Sequence, residues 1–240
     1  MAVPKNPLKK LRLPIHIADG TKAKLDFDYE CQRGHSFGEY HVHGVVNEIL
    51  CANLDPTQHR VHSGFPHPEL QTPGARGRRR EVDFAVETFG SQVLSLCVEV
   101  KWAGSSHCTQ EKVLLDLCRL QIIKKATPET DCIFMLAGRK DNIEELFKSP
   151  IMKQGTNCLL HKSDLRGRAA NRQKKNFSLL DNIDHEASLV PIIKGFDTSL
   201  PRLPDHISTR LIYSARSAHK AARFQALVWS IETIPLANGR

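Results

Sequence analysis

The sequence predicts an α/β protein with a central mixed β-sheet flanked by helices, and three observations carry that expectation. Residues 81–87 alternate polar and apolar with the two-residue period of a strand, and a second strand-like run at 93–102 follows the turn residues Phe89, Gly90, Ser91 and Gln92, so the two should pair as a hairpin. Val113, Leu114, Leu117, Leu120 and Ile123 recur at the three- and four-residue intervals of an amphipathic helix. Residues 132–137 form a continuous apolar run of strand length.

Taken in order, residues 1–35 read as an N-terminal extension, with prolines at positions 4, 7 and 14 and one short strand expected over 22–27. From 37 to 54 the apolar residues Tyr40, Val42, Val45, Val46, Ile49, Leu50 and Leu54 predict a helix that tolerates Gly44, with Ser36 as its cap. Asp55-Pro56 stops it. A short strand is expected at 58–62, before a turn-rich segment at 64–77 that holds three prolines. Beyond the hairpin, Thr109 should cap the helix that ends at Lys124, Lys125 and the breaker Pro128. Asp141 and Glu144 have the spacing of a capping box for a short helix through 147, and 157–161 is expected to be another strand. Residues 166–175 are basic and polar, while 207–215 and 224–233 are β-rich enough to be two strands that join or extend the sheet. The expected organisation is therefore an N-terminal extension (1–35), a core (36–162) and a C-terminal β-containing extension packed on that core (163–240).

Composition bounds the partners. Apolar residues make up 40% and charged residues 25% of the 240-residue chain, the proportions of a soluble globular protein rather than a disordered one. The longest apolar runs, at 93–98 and 132–137, fall far short of the ~20 residues of a membrane-spanning helix. The lysines near the start are not followed by a sustained apolar stretch and small residues, so no secretory signal is read and a cytoplasmic location is expected. Seven cysteines without paired spacing, among them Cys51, Cys97, Cys118 and Cys132 in apolar surroundings, read as reduced core thiols. Cys31, His35, His41 and His43 lack the Cys-x-x-Cys spacing of a zinc knuckle, and His41 and His43 fall on different faces of their helix. A net charge of +8 favours a polyanionic partner. The basic clusters at 76–80 and 166–175 contain few aromatics, which suits phosphate contacts better than base stacking; Arg78, Arg79, Arg80, Arg172, Lys174 and Lys175 are the candidates for nucleic-acid binding.

The residues that carry chemistry lie on the predicted hairpin. Strand alternation puts Asp83, Ala85 and Glu87 on one face of the first strand and Cys97, Glu99 and Lys101 on one face of the second. Folding back at Gly90 and Ser91 sets Asp83 nearly opposite Glu99, with Cβ atoms roughly 4.5 to 5.5 Å apart. Two carboxylates so placed repel, and one would protonate unless a cation intervened. Oxygen-only ligands suit Mg²⁺, with Mn²⁺ able to substitute. Lys101 projects to the same side, where an ammonium could activate water or offset charge on a phosphorane. On the next helix Gln110, Asp116, Arg119 and Gln121 are available to bind substrate or brace the site, although Asp116 and Arg119 also have the spacing of an ordinary intrahelical ion pair. No Ser-His-Asp arrangement, P-loop or dinucleotide fingerprint is present.

Val82-Asp83, a sixteen-residue step and then Glu99-Val100-Lys101 resembles the signature of the PD-(D/E)XK, or restriction-endonuclease-like, nuclease superfamily. The predicted order over 37–137, a helix, three strands, a helix and a strand, resembles that core too. The resemblance implies that Asp83 and Glu99 bind a divalent ion with the Val100 carbonyl, and that Lys101 positions or activates the water. Val82 stands where the family often has proline. The family also tends to place a glutamate on the first helix: Glu48, flanked one turn away by Gly44 and Ala52, is the first choice and Glu39 the alternative. The implied activity is that of an endonuclease acting on DNA, with a homodimer compatible with double-strand cutting. The alternatives are a DNA-binding or assembly subunit that keeps the fold without turnover, and a zinc-stabilised regulatory module.

Overall fold

A computed structural model describes residues 12–72, 74, 79–155, 157–162, 174–196, 200–215 and 223–233. Among the described residues seven strands form one mixed sheet: β1 (His59–Pro66), β2 (Glu81–Thr88), β3 (Leu94–Trp102), β4 (Asp131–Arg139), β5 (Lys175–Ser178), β6 (His206–Ala215) and β7 (Phe224–Ile231). Their spatial order is β1-β2-β3-β4-β7-β6-β5. Among the described strands the pairing is antiparallel except between β3 and β4. That parallel pair requires a crossover, supplied by the helix α3 (Gln110–Ala126). The strands of residues 206–231 continue the sheet beyond β4, as their composition suggested.

Two apolar layers cover the sheet. On one face α1 (Leu13–Glu30) and α2 (Glu39–Asn53) bury Ile17, Leu25, Val46 and Leu50 against Phe84, Val98, Val100 and Met135. On the other, α3 buries Val113, Leu114, Leu117 and Leu120 against Ala85, Cys97, Phe134 and Trp229. Two shorter helices, α4 (Lys140–Leu146) and α5 (Glu186–Lys194), extend this second layer with Ile143 and Leu189. Fully burying each large apolar side chain contributes about 1.5–3 kcal/mol.

Several expectations are corrected. Residues 22–27 are helical, not a strand: Pro14 lies in the first turn of α1, where the missing N–H costs nothing, and Leu13, Ile17, Ala18, Thr21 and Leu25 make a buried helical stripe. Gly20, an unfavourable helix residue, sits where α2 crosses closely, since a Cβ there would lie 2.7 Å from Ile49 Cδ1. Ser36 does not cap α2. It lies in a 3₁₀ turn and its hydroxyl donates to the Arg33 carbonyl, while Gly38 precedes the helix. The Asp141 and Glu144 capping box does not form; Arg139 precedes α4 and Glu144 pairs with Lys162. The described part of 157–161 is not a strand, because Leu159 and Leu160 are buried by a loop pinned through Leu159 N–H to the Ile151 carbonyl. Strand β1 runs on to Pro66 rather than stopping at 62. Cys51 is exposed rather than in the core, while Cys97, Cys118 and Cys132 are buried. Among the described residues no helix is long and apolar enough to cross a membrane.

Candidate functional site

The geometry of the site starts from a break in the β-ladder. Strand β2 pairs with β1 on one side and β3 on the other, but the β2–β3 register ends at Phe84↔Val98. On the β1 side Ser63 and Phe65 pair with Phe84 and Val82, and between them Gly64 has φ 64°, in the left-handed region that favours glycine. Asp83 therefore lies where both neighbouring ladders lapse. Its side chain takes over, with Oδ2 accepting the Val100 N–H at 2.7 Å.

Glu99 is the residue opposite Asp83 in this register, and it is 1% exposed. Its Oε1 is buried without a hydrogen-bond partner; the Arg119 guanidinium stands 3.8 Å away. Lys101, two residues on, is held between Asp116 Oδ2 at 3.0 Å and Glu39 Oε1 at 3.1 Å. Asp116, 3% exposed, also pairs with Arg119 at 3.2 Å. His43 Nε2 approaches Asp83 Oδ2 at 3.6 Å. Strand alternation turns Glu99 and Lys101 toward α3, where Arg119 and Asp116 meet them, while Val100 turns its side chain into the α1 and α2 layer; Asp83 reaches across to β3 at the break in the ladders, between the Val100 N–H and His43 of α2.

Electrostatics in this cluster are strained. Burial, followed by the charges of Asp83 and Asp116, raises the Glu99 pKa well above the usual carboxylate range, with Arg119 and Lys101 only partly opposing. Burial also raises Asp116, against the pull of Lys101 and Arg119. Burial works to discharge Lys101, but Asp116, Asp83, Glu39 and Glu99 outweigh it, so the ammonium holds its proton more tightly than usual. Glu39, Asp83, Glu99 and Asp116 surround two basic side chains, Lys101 and Arg119. Were all four acids ionised, the excess would equal the charge of one divalent cation. The unpartnered Glu99 oxygen and this imbalance fit a hard cation held by Asp83 and Glu99. Among the described residues no three His, Cys, Asp or Glu side chains converge as a ready-made ligand set. Two carboxylates and a carbonyl make a smaller protein share, of the kind Mg²⁺ accepts when waters and substrate oxygens fill its other positions.

No family model, curated protein or solved structure matches the chain.

The other predicted residues divide. Of the two helix glutamates, Glu39 reaches the site and Glu48 does not: Glu48 is exposed, and nine residues further along α2 places it about 13.5 Å down the helix. Arg79 is exposed on the wall of a cleft of about 470 Å³ that also includes Tyr40, His43, Gly64, Asp83 and Arg119. Arg80 lines the same cleft, yet its guanidinium donates to the Leu70 carbonyl and Thr72 Oγ1, so it braces the preceding segment. Arg78 and Arg172 lie outside the described residues. Lys174 donates to the Thr233 carbonyl, and Lys175 is on β5, four strand spacings or about 19 Å from β3. The fold does not bring these two lysines to the cluster. Gln110 and Gln121 also stay away from it, bonding the Ile151 and Ser208 amides. His41 faces Asp28, 3.4 Å away, apart from His43. A larger hollow of about 790 Å³, beside Leu96, Lys124 and Arg210, contains none of the clustered groups.

Sequence spacing read Asp116 and Arg119 as an ordinary helix pair, and that pair is present, but both side chains also face β3. The available signal was an aspartate set between Val113, Leu117 and Leu120 on the buried stripe. The His43 approach to Asp83 had no comparable signal, because it depends on how α2 crosses the sheet.

Proposed function

We propose that the chain is a Mg²⁺-dependent nuclease that hydrolyses phosphodiester bonds in DNA, with a restriction-endonuclease-like core and a site of the PD-(D/E)XK type. The observation that carries the reading is the convergence of Asp83, Glu99 and Lys101 from the adjacent strands β2 and β3, with a Glu99 oxygen left unpartnered in a negatively charged cluster. The order α2-β1-β2-β3-α3-β4, with β3 and β4 parallel, supports it.

Asp83 and Glu99 would hold the ion. The Val100 carbonyl is suited to join them, since a strand residue turns its N–H and C=O to the same edge and the Val100 N–H meets Asp83. When bound, the ion supplies Lewis acidity toward phosphate oxygens. Lys101 keeps its proton, so its part is to orient the attacking water and to offset charge growing on the phosphate, not to accept a proton. Asp116 and Glu39 fix the lysine from two sides. Arg79, exposed on the cleft wall, would neutralise a backbone phosphate without reading sequence.

Digestion of supercoiled plasmid with and without Mg²⁺ tests this. The wild type should cleave only with Mg²⁺ or Mn²⁺, and Asp83→Ala and Lys101→Ala should each lose about 10²–10³-fold in rate. Nicked product indicates single sites acting alone; linear product indicates two copies acting together. Metal-dependent DNA binding without any cleavage would replace the nuclease reading with that of a DNA-binding subunit.

A further inference from the structure

We propose that Arg119 is the resident counter-ion of Glu99 and becomes a contact to the scissile phosphate once a divalent cation takes its place. The inference rests on the reading of Asp83 and Glu99 as cation ligands. Four observations carry it.

Arg119 Nη1 stands 3.8 Å from Glu99 Oε1, near enough to compensate its charge, yet that oxygen has no hydrogen bond. The contact is therefore one that a closer cation can replace. Second, the same guanidinium nitrogen is anchored by Asp116 Oδ1 at 3.2 Å, so Arg119 stays in position when Glu99 is engaged elsewhere. Third, Arg119 Nε is buried without an acceptor, a donor still available to a ligand. Fourth, Arg119 lines the same cleft as Asp83, His43 and Arg79, so a phosphate beside the ion would lie within its surroundings.

Lys101 differs in each respect. It is enclosed by Asp116 and Glu39, and neither contact is released when a cation binds Glu99. A guanidinium also offers a phosphate two parallel donors, which an ammonium cannot. The arrangement makes metal and arginine competitors for Glu99 before substrate binds and partners on the phosphate afterwards.

Calorimetric titration of Mn²⁺ into the DNA-free chain, combined with cleavage rates at saturating Mn²⁺, separates this from a purely structural ion pair. Arg119→Met keeps the aliphatic stem and removes the competing charge. It should bind Mn²⁺ about three- to tenfold more tightly than wild type, yet cleave about 10²-fold more slowly. Arg119→Lys keeps the charge and is the second variant should the methionine form fail to fold. It should bind Mn²⁺ within about twofold of wild type and still cleave at least about tenfold more slowly. Unchanged or weaker Mn²⁺ binding by Arg119→Met, or full activity in Arg119→Lys, overturns the Arg119 proposal and leaves the nuclease reading intact. If the wild type takes up no Mn²⁺, the nuclease reading fails and this inference fails with it.

Discussion

Strand β3 has two different sides. Toward α1 and α2 it turns Leu96, Val98, Val100 and Trp102, all apolar and buried; toward α3 it turns Cys97, then Glu99 and Lys101. Backbone and length are shared, so the contrast isolates what the side chains are for. The first side is what removal of apolar surface from water produces unaided. On the second, a carboxylate with an unpartnered oxygen is enclosed among other acids, an arrangement that disfavours folding and that hydrophobic replacements would often relieve. The first side of the strand is held by apolar burial, and the charge arrangement on the second is what the proposed chemistry would use.

The widest separation between the two sides should come from Leu25→Ala. Leu25 is fully buried in the α1 and α2 layer. Its truncation is expected to lower unfolding free energy by about 2–5 kcal/mol in urea denaturation, while DNA cleavage by the folded fraction stays near wild type. A loss below about 1 kcal/mol would mean that α1 is not part of what holds the sheet, and the comparison would break on its stable side.

The charged side has the opposite signature, and pH brings it out. Burial and then Asp83 and Asp116 raise the Glu99 pKa, so the native state holds this proton more tightly than the unfolded chain, where the ordinary value is 4.5. The stability attached to Glu99 is thus fully present below that value and is lost as pH rises toward the raised one. In metal-free protein, wild type should lose stability relative to Glu99→Gln as pH rises above the ordinary value of 4.5, with a slope of at most about 1.4 kcal/mol per pH unit. Mg²⁺ should restore it, raising the wild-type melting temperature more at the higher pH and leaving the variant little changed. Equal stabilisation of both proteins by Mg²⁺ would place the ion elsewhere.

How far the sequence disclosed this contrast follows from which signals are local. Strands β2 and β3 were legible because alternation and a turn at Gly90, where φ is 79°, lie within one short stretch. Asp83 opposite Glu99 followed from counting across that turn. Helix α1 was hidden because Pro14 and Gly20 weigh against a helix in isolation, although the first is harmless in an opening turn and the second sits where Ile49 packs close. The short run at 157–161 has strand-like composition but spends its leucines on a core beneath a loop. Arg119 reaching Glu99 and Lys101 reaching Asp116 were latent in an aspartate on an apolar helical stripe. Such contacts become definite only when α3 is laid on the sheet.

The same limit decides the helix glutamate, and the smallest predicted effect probes it. Small neighbours one turn away made Glu48 the sequence choice, but which end of α2 meets β3 is set by long-range packing, and Lys101 bonds Glu39 at 3.1 Å. Glu39→Ala should slow cleavage about tenfold, because one of the two carboxylates that fix the ammonium is lost. Glu48→Ala should leave stability within about 0.5 kcal/mol and the rate within about twofold, as for an exposed helix residue. Since Glu39 acts through the lysine, its effect should disappear when Glu39→Ala is combined with Lys101→Ala. If Glu48→Ala were instead the variant that lost rate, α2 would have to present its middle rather than its first turn to β3, and the charged side of the strand would be built differently.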